Sequence, residues 1–332
     1  MARCKLFMLV VAIGTVLLCH SRPVWAQPSA AEVLSEMGWS ADDQQRILKG
    51  EFVTNDVPGT SDRDLSLSIG FLVKTSPAEL SEQIIAGNII GTDPQVEASG
   101  EFQGAGSLAD LARLQIGTKT AQAFLNARPG EALNLSAGEI TAFDALGGAG
   151  PQAALAQLRQ MLLDRFQAYK ASGLAGIAPY DLGDKTTDVG GELREASNAL
   201  VVLHKYMPAF QQALVDYPRT AAPGMQQVFR WVHYDINGDT TLVLMHELTA
   251  SEGAARAVVQ RQYYVSNGYN AEQAVAGFLP VQGGTVVAYT NHTYTDQVAG
   301  FGGAVKRGIG RRMMASKLTQ MFDTARDRVG HQ

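Results

Sequence analysis

Phe229-Arg230-Trp231-Val232-His233-Tyr234-Asp235-Ile236-Asn237-Gly238-Asp239-Thr240-Thr241-Leu242-Val243-Leu244-Met245-His246-Glu247-Leu248 is the stretch on which the fold turns. It holds two runs rich in aromatic and β-branched residues, joined by Asn-Gly, the pair that best suits a two-residue hairpin turn. With that turn, Ile236 stands opposite Asp239, His233 opposite Leu242 and Phe229 opposite His246. Phe229, Trp231, His233, Leu242, Leu244 and His246 then share one side of the hairpin, because side chains alternate along a strand.

Strand signals continue downstream. Arg256 to Val265 is followed by a second Asn-Gly at Asn267-Gly268, and Gly283-Gly284 introduces Thr285 to Thr295. A long helix is predicted from about Gly303 to Arg328, with Val305, Ile309, Met313, Leu318, Met321, Phe322 and Ala325 as its apolar stripe. Upstream of Pro223 the period is helical instead. Residues 107–217 read as almost wholly helix, with Leu155, Leu158, Leu162, Phe166 and Tyr169 as an amphipathic stripe after Gly150-Pro151. Nearer the N-terminus, Asp64 to Val73 alternates cleanly, placing Leu65, Leu67, Ile69, Phe71 and Val73 on a buried face and Asp64, Ser66, Ser68 and Gly70 on a wet one. It runs into Ser76-Pro77-Ala78-Glu79, a capping-box start for a further helix. The fold class expected is α+β: a curved antiparallel sheet packed on a long C-terminal helix, with a helical insertion at about 107–217. Residues 27–332 are expected to form one domain, whose strand-rich half and final helix span 223–328.

Residues 1–26 have the order of an export signal. Arg3 and Lys5 precede an apolar run from Leu6 to Leu18, and Val24-Trp25-Ala26 offers a cut before Gln27. The run is shorter than the ~20 apolar residues of a membrane span. Cys19 lacks the small preceding residue of a lipoprotein box, since Leu18 stands there. Both cysteines, Cys4 and Cys19, would leave with the signal, and with them disulfides and thiolate chemistry. The expectation is a periplasmic or secreted protein.

The whole chain has 27 basic and 32 acidic residues, and three of the basic ones lie in the expected signal, leaving a mature net charge of −8. Such a balance gives no support to nucleic-acid binding. From Gly300 onward the sign reverses, with seven basic residues against two acidic ones.

Catalytic motifs are missing. There is no Gly-x-Ser-x-Gly elbow, no Ser-x-x-Lys and no nucleotide-binding glycine loop, and His246-Glu247 is not followed by the second histidine of a zinc protease. Asp181, Asp184, Asp188 and Glu192 do not have the spacing of a calcium loop. His233 and His246 lie roughly 13 Å apart along the hairpin at ~3.3 Å per residue, too far to share a metal ion. They read as imidazoles at the margin of an apolar face, with a catalytic histidine as the other reading. No metal and no cofactor are expected, and the reading leans away from an enzyme. The Gly300-Phe301-Gly302-Gly303 run before a helix, followed by Lys306, Arg307, Arg311 and Arg312, has the chemistry of an anion or lipid-headgroup site. The same small residues, with Gly308 and Gly310, would equally let the helix pack closely on the sheet.

The order of a half-buried strand, a capped helix, a strand meander and one long final helix resembles the START-like, helix-grip superfamily. Leu65–Ile85 and Phe229–Arg328 carry the resemblance, and the helical block is extra to it. The resemblance implies a pocket for a lipid or other apolar molecule, lined from the inner sheet face, for which Phe229, Trp231, Leu242 and Leu244 are the candidates. Basic residues near the final helix would suit an anionic end on that ligand and, with it, an anionic membrane surface. Two other functions stay open: an exported hydrolase with an Asp/Glu/His site assembled from distant parts of the chain, and an envelope interaction protein without a ligand.

Overall fold

A computed structural model describes residues 29–236, 238–252, 255–300 and 302–329. The expected signal segment, residues 1–26, lies outside them, as does Asn237 of the hairpin turn. Helices α1 (Ala30–Glu36) and α2 (Ala41–Leu48) lead into strands β1 (Val53–Asp56) and β2 (Asp64–Val73), helix α3 (Pro77–Ile85) and strand β3 (Val96–Glu101). The helical block follows: α4 (Thr118–Leu125), α5 (Ala137–Asp144), α6 (Pro151–Ser172), a two-residue pair β4 (Tyr180–Asp181) and β5 (Thr186–Thr187), then α7 (Val189–Asn198), α8 (Val201–Tyr206) and α9 (Pro208–Asp216). The chain then forms β6 (Gln226–Ile236), β7 (Asp239–Glu252), β8 (Ala255–Val265), β9 (Ala271–Val281), β10 (Gly284–Tyr294) and α10 (Gly303–Val329).

The architecture is α+β: an open antiparallel sheet of eight strands in the order β1-β2-β10-β9-β8-β7-β6-β3, with a long C-terminal helix. The hairpin has the register its sequence predicts, Ile236 against Asp239, His233 against Leu242 and Phe229 against His246. Helices cover both faces. On one face, α3 and α10 pack over Leu67, Phe71, Val258, Ala276, Phe278 and Tyr289. On the other, the helical block covers β6 to β8, and α1 and α2 cover the β2–β10 region. At the margins of the sheet lie β1, with four paired residues, and β3, whose register shifts between Val96 and Ala98.

Several expectations are corrected. The face of β2 expected to be wet is buried: Asp64, Ser66 and Ser68 are all inaccessible, with the loop before β2 bonded to Asp64 through Thr60 and to Ser66 through the Val57 carbonyl, and α2 packed at the far end. Gly70 is where α2 comes closest, and a Cβ there would sit 2.4 Å from Ile47 Cδ1. Strand β9 was not legible, since Ala and Gly are poor strand formers. Its Pro280 lies beyond Phe278, the last residue paired with β8, so the missing N–H breaks no rung on that side. The α10 stripe divides in two. Leu318 and Phe322 pack on the sheet, whereas Val305, Ile309 and Met313 are 69, 54 and 63% exposed. At ~100° per residue, Leu318 is ~220° round from Val305, so one stripe could not hold both. Gly310 does allow close packing, with Leu65 Cδ1 3.1 Å from where its Cβ would be, while Gly308 faces open space.

A candidate ligand cavity beneath the final helix

A cavity of about 590 Å³ lies between α3, α10 and the sheet face they cover. Its origin is in side-chain size. Ala274 and Ala276 of β9 point toward α10, and methyl groups cannot fill the space that longer residues would take. Ile84, Ile89, Ile90, Leu318, Met321 and Phe322 supply an apolar wall. Phe322 is fixed by stacking on Phe71, ring centroids 5.0 Å apart, and by an edge contact with Tyr289 at 4.8 Å.

The sheet side of this cavity is polar. Glu272 accepts from Gln262 Nε2 at 3.1 Å and from Thr293 Oγ1 at 3.0 Å, and the Tyr269 hydroxyl donates to Gln262. Gln260, also on the wall, donates to the buried Glu247 at 2.6 Å, which Arg230 holds through Nε at 2.6 Å. Burial pushes the Glu272 carboxyl up, against the hydrogen bonds it receives from Asn291 and Thr293. Burial likewise raises Glu247 in spite of Arg230. The floor therefore offers hydrogen-bonding side chains and, in Glu272, a carboxyl that burial drives toward its neutral form, a setting that disfavours negative charge. Among the lining residues the cation is Lys317, exposed on α10.

The four cavity candidates from the sequence sit elsewhere. Phe229, Trp231, Leu242 and Leu244 are buried on the opposite sheet face, in a hydrophobic core with Phe166 and other residues of the helical block. The Phe229 ring stacks on His246 at 4.1 Å, and Trp231 Nε1 donates to the Asp110 carbonyl at 2.9 Å. Alternation alone could not choose between faces, because the other face of this hairpin, with Val232, Val243 and Met245, is apolar too. His246 is held by the Tyr169 hydroxyl at 3.0 Å and Gln227 Oε1 at 2.9 Å, and burial with nearby Arg261 pushes it well below the usual imidazole range. His233 is half-buried and shifted down by desolvation.

The four headgroup candidates do not gather either. Arg307 turns inward and donates to the Asp62 carbonyl at 2.8 Å, tying α10 to the loop before β2. Arg311 is half-buried, while Lys306 and Arg312 are exposed on the solvent side. Among the described residues, no three His, Cys, Asp or Glu side chains gather as a metal site, and no helix is long and apolar enough to cross a membrane. Glu272, Gln262 and Tyr269 were missed by sequence reasoning, and Met321 was read only as part of the helix stripe. The signal that could have found them is Ala274-Val275-Ala276-Gly277, a run too small to fill the space on either side of a sheet. Compared with protein-family models, curated proteins and solved structures, the chain matches none.

Proposed function

We propose that this is an exported envelope protein that binds a lipid-like or other apolar small molecule in the cavity beneath α10. The observation that carries the reading is that cavity: about 590 Å³, with an apolar helical wall opposite a floor of satisfied polar groups. Its size falls in the ~300–1,000 Å³ range of small-molecule sites. The floor favours a buried end that is polar and uncharged, and an anionic group would find its partner in Lys317. The exposed Val305, Ile309 and Met313, flanked on the helix surface by Lys306, Arg312 and Lys317, support an anionic membrane surface as the place where ligand is collected.

Native mass spectrometry of the protein recovered from its own envelope tests this. The expected spectrum shows a polypeptide lacking residues 1–26 and carrying a small-molecule adduct, and the adduct is lost in an Ala276→Phe variant that fills the cavity. A wild type recovered at its bare polypeptide mass overturns the binding reading, and one retaining residues 1–26 overturns export.

A further inference from the structure

The same strand that leaves space under α10 leaves space behind it. Val275 and Gly277, next to Ala274 and Ala276, point to the opposite face, where a second cavity of about 380 Å³ lies between β8–β10 and helices α1 and α8. Helix α8 covers it without burying any of its own six residues, and Val201 is 69% exposed. The walls are apolar, from Val33, Leu200, Leu203 and Val275 among others. Among its polar lining residues, which include Glu36, Arg256, Ser68 and Thr290, one is buried and keeps a ring nitrogen unpaired. His292 is 1% exposed, and its Nδ1 lies 2.8 Å from Asp64 Oδ2. That oxygen also accepts from the Thr60 backbone N–H at 2.8 Å and the Thr60 hydroxyl at 3.2 Å, which fixes the carboxylate. With Asp64 Oδ2 as the acceptor, Nδ1 carries the hydrogen and Nε2 is left as the ring's free nitrogen. Nε2 meets no protein partner among the described residues. Beside it the Ser68 and Thr290 hydroxyls are spent on each other at 2.8 Å.

We propose that this second cavity is a separate binding site for an apolar molecule bearing one hydroxyl, an alcohol or phenol, which donates to Nε2 of His292 while its body lies against α8. The Asp64–His292 pair sets the acceptor, and the apolar walls receive the body of the molecule. The site is independent of the cavity beneath α10, since the sheet separates them.

The test uses the mature protein with 2-naphthol and 2-methoxynaphthalene, two probes of one ring system of which the first alone can donate. Wild type is expected to bind the naphthol about tenfold more tightly than the ether, the worth of one buried hydrogen bond. His292→Phe should bring the ratio to about one. Gly277→Phe, whose Cβ has no atom nearer than the Ala288 carbonyl oxygen at 3.9 Å, should fill the cavity and abolish binding of both while leaving Asp64–His292 intact. Ala276→Phe, on the other face, should leave the naphthol preference unchanged. Equal affinity of wild type for the two probes, or naphthol binding that survives Gly277→Phe, overturns the proposal.

Discussion

Single side chains account for much of what the sequence left hidden, and Glu192 is the clearest case. It was weighed as part of a calcium loop on spacing alone. The fold instead turns it inward from the first turn of α7, where it is 4% exposed and lies 2.7 Å from Arg63 Nη2. Burial, opposed by Arg63, pushes its carboxyl up to about 7. A carboxyl raised above its unfolded value stabilises the fold below that unfolded value, and the contribution is lost as pH climbs through the folded one. The native state should therefore weaken between about pH 4.5 and pH 7 by up to roughly 3 kcal/mol from this group. Glu247 and Glu272, raised by the same cause, act in the same sense. Urea midpoints measured across that window should fall for wild type and fall less steeply for Glu192→Gln. Parallel curves for the two proteins would refute the assignment. No spacing rule could have announced this residue, because its environment is built by Arg63 and Asp296, far away in the chain.

At the level of whole elements the sequence was more open. The hairpin register, β2, α6 and the reach of α10 could all be read from alternation, turn residues and caps, since these are local signals that tertiary contacts reinforced. Which face of an element meets which neighbour could not be read where both faces are apolar, as in β6–β7, or where a helix carries two apolar stripes, as in α10. That second stripe yields the next expectation. An exposed row of Val305, Ile309 and Met313 edged by basic residues should adsorb to anionic phosphatidylglycerol vesicles, and more weakly at high salt. Replacing Ile309 and Met313 together by aspartate should reduce vesicle co-sedimentation at least about tenfold by removing apolar contact and adding repulsion. The thermal midpoint should barely move, because surface substitutions of this kind usually fall within about 0.5 kcal/mol. Absence of vesicle binding by the wild type would remove the membrane from the proposed function.

On the scale of the whole molecule, the two chambers follow from a property no short motif carries, namely a central strand of small residues placed between two helical layers. The α+β class and the final helix were readable, while the chambers needed the strand order before either could be located. The open sheet has a further consequence, in how the protein behaves in a crowded solution. Its margins are its weakest invitations to another chain: β1 offers four residues, and β3 is broken by the register shift at Glu97, which places a charge where a neighbour would have to pair. The long strands of 10 to 14 residues, β2 and β6 to β10, are all kept inside. Deleting Glu97 should straighten β3 and turn a guarded margin into a template, so that light scattering rises with concentration in the variant and not in the wild type. Identical scattering would assign the protection to some other part of the surface. A rise in the variant would make the bulge at Glu97 a guard against strand addition, set where the chain leaves the sheet for its helical block.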